Sequence, residues 1–282
     1  MSGRLVVLGS VNSDLTVRVA RHPRPGETLL GGDLSTGLGG KGANQAAAAA
    51  RAGVAPLFLG AVGTDAVGDT LRSGLAGAGV DVSALLTIDG PSGVALITVA
   101  DDGENTIVVA AGANDRVDAA TVRDTVSALD AGDVVLAQLE VPLDVVGTAS
   151  ASTSARFVLN LSPAREVPAE LLAACDPLIV NETEAALIAG DGSPEELVER
   201  LLPRVRSVVL TLGGDGALVA DGDGVRHHRA PRVEVVDTTG AGDAFAGALA
   251  AALARGVALN EAAAAGVAAG AEAVQWVGAQ PR

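Results

Sequence analysis

Six short, mostly apolar runs punctuate the chain, at residues 5–8, 57–61, 134–139, 157–161, 178–180 and 208–212. Between most of them lie alanine-rich or Glu/Leu-rich stretches long enough for helices, such as 43–52, 119–128, 182–189 and 194–202. Strands that are apolar on both faces are buried on both faces, and a helix between successive strands is the connection that parallel pairing requires. The pattern predicts a three-layer α/β/α fold with a mostly parallel central sheet. Helices are predicted for the C-terminal third as well, over 242–255 and 260–274.

Two segments break this rhythm. Residues 15–34 and 93–110 carry alternating strand patterns and turn signals, and the stretch Asp101-Asp-Gly-Glu-Asn105 between two apolar runs reads as a hairpin turn. They are expected to form a small β-sheet lid on the main sheet. No period of 20 to 50 residues recurs and no Pro/Ser-rich linker divides the chain, so residues 1–282 are expected to form a single domain.

Composition narrows the partners. The 282 residues are 49% hydrophobic with 36 glycines, which supplies a substantial core and excludes a disordered chain. A formal charge of -15 repels phosphate backbones and anionic lipid, so neither nucleic acid nor a membrane surface is an expected partner. Cys175 stands alone, which removes internal disulfides and cysteine-held zinc. The apolar stretch at the N-terminus reads as a first strand and not a signal peptide, and no apolar run reaches the length of a membrane span. A cytoplasmic location is expected. Aromatic residues make up 1% of the chain, so Ala, Val and Leu must build the core.

Three glycine-rich loops are the candidate chemistry. The first, Gly37-Leu-Gly-Gly-Lys-Gly-Ala-Asn44, runs into an alanine-rich helix. Its Gly37-x-Gly39-x-x-Gly42 matches a dinucleotide fingerprint, but no acidic ribose ligand follows at the right distance, and Gly42 after Lys41 rules out a Walker A loop. A helix N-terminus approached by a ligand, with Lys41 and Asn44 beside it, is one reading; glycines placed for tight packing is the other. Lys41 is the only lysine in the chain, in a site that then favours a compact ammonium over a guanidinium. The second loop, Val236-Asp-Thr-Thr-Gly-Ala-Gly-Asp-Ala-Phe245, would point the amides of Gly240, Ala241 and Gly242 at one spot, with Asp243 in the first helical turn. Asp243 then either complements the helix dipole or acts as a base beside a transferable phosphate. The third, Thr211-Leu-Gly-Gly-Asp-Gly216, ends a strand as a turn or as a nucleotide-side loop.

Together these residues resemble the ribokinase-like (PfkB) family of sugar kinases, with matches in order along nearly the whole chain. Gly39-Gly-Lys-Gly-Ala-Asn-Gln45 and Asp237-Thr-Thr-Gly-Ala-Gly-Asp243 resemble its two signatures. Further matches lie at Gly9-Ser-Val-Asn-Ser-Asp14, Pro25-Gly-Glu-Thr28, Gly93-Val-Ala-Leu-Ile97 with Gly103-Glu-Asn105, Gln138-Leu-Glu140, Asn181-Glu-Thr-Glu184 and Gly278-Ala-Gln-Pro281.

The resemblance implies MgATP-dependent phosphorylation of the primary hydroxyl of a pentose, with D-ribose to D-ribose 5-phosphate as the first expectation. It implies that Asp14, Gly39, Gly40, Lys41, Asn44 and Glu140 hold the sugar, and that Asp243 takes the hydroxyl proton while Gly240, Ala241 and Gly242 receive the phosphoryl charge. It implies nucleotide contacts at Asn181, Thr211, Gly213, Gly214, Asp215, Gly216 and Gly242, with Asn181 and Glu184 holding Mg²⁺ through water. For that Asn-x-x-Glu pair a helix capping box is the competing reading. Arg165 either approaches the site or stays on the surface. A monovalent cation, K⁺ as an activator, is implied at Asp237, Thr239, Ala273 and Gly278, although Arg282 stands where a cation ligand is expected and a further helix usually follows. A homodimer through the lid is implied too. A kinase for a nucleoside, pseudouridine or a hexose, and a sugar- or nucleotide-sensing protein on the same fold, remain open alternatives.

Overall fold

The computed structural model describes residues 3–280. The chain runs β1 (Leu5–Leu8), β2 (Asn12–Val19), β3 (Ser35–Gly39), α1 (Lys41–Arg51), β4 (Leu57–Gly63), α2 (Ala66–Gly77), β5 (Leu85–Ile88), β6 (Gly93–Ala100) and β7 (Asn105–Ala110). It continues through α3 (Ala119–Ser127), β8 (Val134–Ala137), α4 (Leu143–Ser152), β9 (Arg156–Asn160), α5 (Ala169–Ala174), β10 (Cys175–Asn181), α6 (Glu182–Ala189) and α7 (Pro194–Leu201). Strands β11 (Val208–Thr211), β12 (Ala217–Asp221) and β13 (Gly224–His228) follow, and helices α8 (Ala241–Ala254) and α9 (Leu259–Ala273) close the order.

The main sheet has nine strands among the described residues, in the order β13-β12-β11-β10-β9-β8-β1-β4-β5, parallel except for β12 and β13. Strand pleat sorts its side chains. Val6 and Leu8 point into a core shared with α3, α4, α5 and α7, while Leu5 and Val7 point into one shared with α1, α2, α8 and α9. Helix α8 is buried along nearly its whole length. Alanine permits this, because a helix with methyl side chains can be sandwiched between a sheet and neighbouring helices at close approach. Without a single tyrosine in the chain, the core is closed by short contacts between backbones.

A second sheet, β3-β2-β6-β7, forms the lid. Its turn at 101–104 is the expected hairpin, with Gly103 at φ 88°. The first lid segment differs from expectation: residues 20–34 form an arm without strand structure, and the returning strand is Ser35–Gly39, which takes in part of the first glycine-rich loop. The reason lies at Gly39. A Cβ there would stand 2.1 Å from the carboxylate of Asp14 on β2, so glycine in an extended strand makes room for a neighbouring side chain. The lid joins the main sheet through Asn114, which is buried and grips both the amide and the carbonyl of Val11 (3.0 and 3.1 Å) and donates to Asn12 Oδ1 (2.8 Å).

Strand order reverses at β1, which pairs with β4 on one side and β8 on the other. Open α/β sheets bind ligands at such a switch, outside the carboxyl ends of the strands. All three glycine-rich loops leave the fold at that edge of the sheet or above it. The helices that carry two of them touch at Gly247 of α8, where a Cβ would lie 2.2 Å from the Gln45 carbonyl and 2.7 Å from Ala48 Cβ. Gly247→Val is therefore expected to force α1 and α8 apart. Overpacking of this kind costs about 1–3 kcal/mol, read as a lower midpoint in a denaturant titration; an unchanged midpoint would mean that the helices have slack at this contact.

Candidate active site

The site begins at Asp243, in the first turn of α8. Its carboxylate is buried and receives two amides from α1: Gln45 Nε2 on Oδ1 at 3.0 Å and Asn44 Nδ2 on Oδ2 at 3.2 Å. Burial pushes its pKa up, the positive charge of Lys41 and the two amides pull it down, and Glu140 pushes it up again, with a net rise. An aspartate in such a place is a stronger base than one in water. Gln45 Nε2 also reaches Asn160 Oδ1 at 3.0 Å, tying the end of β9 to the same cluster.

The amides above Asp243 are not all alike. Gly240 takes a left-handed conformation (φ 77°), which favours glycine, and a Cβ on it would in addition stand 2.6 Å from Ala279. The Ala241 amide turns back to the Thr238 carbonyl at 3.3 Å, so it does not face an anion as expected. The amides of Gly242 and Asp243 have no acceptor within the helix and no capping side chain. A Cβ on Gly242 would meet nothing within 4 Å, which leaves that point of the helix N-terminus open to a ligand.

Asp14 projects from the lid near Glu140 and Asp243. Burial first, and then the charges of Glu140 and Asp243, push its pKa up to about 7. Glu140, just past β8, does more than face the pocket: its Oε2 accepts from Ser10 Oγ and, at 3.0 Å, from the backbone N–H of Lys41. It thus caps α1, whose N-cap residue Gly40 offers no side chain. Gly42 is likewise structural, since a Cβ would stand 2.7 Å from the backbone of Gly9 and Ser10. The half-buried Lys41 shares a cleft of about 160 Å³ with Asn160, Ser162, Asn181, Glu184, Thr211, Gly240, Gly242 and Asp243.

Asn181 and Glu184 do form a capping box at the start of α6: Asn181 Oδ1 accepts from the Glu184 amide (2.8 Å) and Glu184 Oε2 from the Asn181 amide (2.9 Å). Both nevertheless line the cleft, and Glu184 Oε1 is not engaged. Further out, Gly213–Asp215 makes a 3₁₀ turn between β11 and β12. Gly216, at φ 97°, passes so close to His228 that a Cβ would be 2.0 Å from its carbonyl oxygen. Beside this turn opens a larger cavity of about 540 Å³ lined by His227, His228, Arg229, Pro231, Ala264, Val267 and Ala268. Arg165 is exposed and makes no hydrogen bond among the described residues.

The Asp237 loop is closed by its own carboxylate, which accepts from the amides of Thr239 and Gly278, both at 2.9 Å. Burial alone would raise its pKa; these hydrogen bonds outweigh burial and lower it. The Val274 carbonyl, next to Ala273, takes two amides, from Val236 and Asp237. Pro281 and Arg282, on which the expectation about the chain's end rested, lie outside the described residues.

The structure also brings in residues whose roles composition and motif did not reveal: Ser10, Gln45, Asn114, Asn160 and Gln280. Gln45 stands in the first signature, and Ser10 and Gln280 in matched segments, so these three were visible as residues. Only the packing around α1 shows what their side chains hold.

Residues 2–282 match the model of the pfkB family carbohydrate kinases. Ribokinase of Haemophilus influenzae is 36% identical over 290 residues, covering 99% of this chain and 95% of the relative. Ribokinase of Staphylococcus aureus is 38% identical, over 88% of this chain and 85% of its own. The crystal structure of ribokinase from Thermotoga maritima superposes with a TM-score of 0.92 at 30% identity, covering 98% of this chain and 94% of that one. Arabidopsis thaliana ribokinase complexed with ribose and ATP gives a TM-score of 0.85 at 31% identity, over 99% and 94%. With its two glycine loops meeting at one buried aspartate, its lid, and matches of this extent, the chain belongs to the pfkB family of carbohydrate kinases.

Proposed function

We propose that this chain is an ATP-dependent kinase that converts D-ribose to D-ribose 5-phosphate. The observation that carries the reading is Asp243, a buried carboxylate with a raised pKa, set one residue past an open helix N-terminus and facing the lid aspartate. The relatives supply the sugar: all four described above are named ribokinase, and the structure from Arabidopsis thaliana holds ribose with ATP.

In this reading Asp14, Gly39, Gly40, Lys41, Asn44 and Glu140 hold the sugar hydroxyls under the lid. The C5 hydroxyl attacks the γ-phosphorus in line; the new O–P bond forms as the bond to the β,γ-bridging oxygen breaks, and the proton passes to Asp243. The open amides of Gly242 and Asp243 receive the charge on the moving phosphoryl group, at the positive end of α8. The phosphates lie along the cleft by Asn181 and Thr211, the turn at Gly213–Gly216 flanks the nucleotide, and the larger cavity beside it takes the base. Closure of the lid excludes water, which limits ATP hydrolysis.

The donor set suits Mg²⁺ held at a distance. No group of three or more His, Cys, Asp or Glu side chains converges among the described residues, while Glu184, with Oε1 not hydrogen-bonded, and Asn181 line the cleft and would accept from metal-bound water. Mg²⁺ accompanying ATP supplies charge neutralisation on the phosphates. For a monovalent cation, Asp237 accepts one amide on each carboxylate oxygen, which leaves acceptor capacity for K⁺ beside the backbone of Thr239, Ala273 and Gly278.

No helix among the described residues is long and apolar enough to cross a membrane, and we place the enzyme in the cytoplasm, where ATP is made available. The lid also supports a homodimer. Its edge strand β7 is exposed throughout and carries Ile107, Val108 and Val109 into solvent, an unpaired apolar edge that a second copy would cover. Val108→Lys is expected to halve the mass measured by light scattering, whereas a parent that is already monomeric would remove the dimer.

Asp243→Asn is expected to lower kcat at least about a hundredfold and to leave ATP binding nearly intact; retention of most turnover with ribose would take the base role away from Asp243. The second expectation concerns pH. Sugar hydroxyls donate to ionised Asp14, and its pKa of about 7 without ligand means that a proton must leave before sugar binds at lower pH. Ribose affinity should therefore be level above pH 7 and weaken about tenfold per unit below it, and in Asp14→Asn it should be weak and flat. Calorimetric titration between pH 5.5 and 8.5 measures this; a parent profile as flat as the variant's would place Asp14 outside the sugar contacts. Parallel assays with fructose, adenosine and pseudouridine test the sugar assignment itself.

A further inference from the structure

We infer that Gln280 is a positioning residue for the catalytic base, acting through the amide of Asn44. Gln280 Nε2 donates to Asn44 Oδ1 at 3.0 Å, and Asn44 Nδ2 donates to Asp243 Oδ2 at 3.2 Å. The inference rests on the reading of Asp243 as the base.

The polarity of this chain follows from its inner end. An ionised carboxylate can only accept, so the side of Asn44 that faces Asp243 must be its NH₂ group. The Asn44 carbonyl oxygen then points the other way and needs a donor. Asn44 is buried, and an amide oxygen left without a partner in such a place is costly. Gln280 meets that need from the loop that follows α9, a long way off in sequence. If nothing donated to Oδ1, the amide could rotate and bring oxygen toward oxygen at Asp243. Gln45, the other amide on Asp243, is held differently: its Nε2 is shared between the acceptors of Asp243 and Asn160, which keeps nitrogen toward the carboxylate although its own Oε1 is buried without a partner.

The position of Gln280 is itself determined. Two residues before it, the Gly278 amide is held by Asp237 Oδ2 at 2.9 Å, and Ala279 lies against Gly240, where a Cβ would approach it within 2.6 Å. The loop carrying the open helix N-terminus and the loop carrying Gln280 are therefore one packed unit. The base and the anion site are set by the same few residues.

Three measurements test the assignment: steady-state kinetics with ribose, thermal melting, and a double-mutant cycle. Gln280→Ala is expected to lower kcat about fivefold with the KM for ATP and the melting temperature unchanged. Gln280→Glu keeps the shape but replaces the donor by an acceptor, which draws Asn44 Nδ2 away from Asp243; its loss is expected to exceed that of Gln280→Ala. A residue that merely filled space would show the opposite order, since the isosteric change would be the milder one. In an Asn44→Ala background both substitutions should have no further effect, because the group they act through is gone. A kcat within twofold of the parent for Gln280→Ala, or full losses that persist without Asn44, would overturn the assignment. The two readings fail separately. A parent without turnover, or an active Asp243→Asn, defeats the base reading and this inference with it; an active parent with silent Gln280 variants defeats only the amide chain.

Discussion

The arrangement depends on how closely helices α1 and α8 approach. Asp243 becomes a buried, amide-held carboxylate only because Asn44 and Gln45 reach it across that contact, and the contact exists because Gly247 has no side chain to hold the helices apart. The same two helices begin at the glycine loops, so their approach also brings Lys41 and the open amide of Gly242 to one cleft. Elsewhere in the fold, alanine-rich surfaces repeat this solution. A chain with 1% aromatic residues has little bulk with which to fill gaps, and backbone proximity takes its place.

Most of the fold was legible in the sequence because the strands of a doubly covered sheet are apolar throughout. The six runs are all strands of the main sheet, and 182–189 matches α6 in both bounds. Three strands escaped: β5 is four residues with an exposed threonine, β13 is polar and exposed because it lies at the sheet's edge, and β12 is apolar and buried but follows directly on the third glycine loop. Residues 20–34 showed strand signals in a segment that finds no partner strand. Pairing is a property of the neighbour as much as of the run.

The site was legible as a set of residues and less so as a set of bonds. Glycine motifs marked where the backbone had to bend or approach, yet they did not say which glycine served a ligand and which served packing: Gly42 and Gly216 serve packing, whereas Gly242 is open. Glu140 looked like a pocket residue and is also the cap of α1. Asn181 and Glu184 looked like either a metal pair or a capping box, and the box is made with one carboxylate oxygen to spare. A side chain's second bond depends on what comes near it from distant sequence, and one sequence does not record that distance.

Trp276 has a different consequence. It packs against Ala48, Ala244 and Ala273, one residue each from α1, α8 and α9, and its indole N–H is buried without a partner. With no tyrosine and a single tryptophan in the chain, near-ultraviolet fluorescence excited at long wavelength has one origin. That origin lies where α1 and α8, the helices that set Asp243, meet the end of α9. The chain therefore carries an optical reporter at the structural joint of its own site, and its emission follows the wetting or tightening of that joint with no label added.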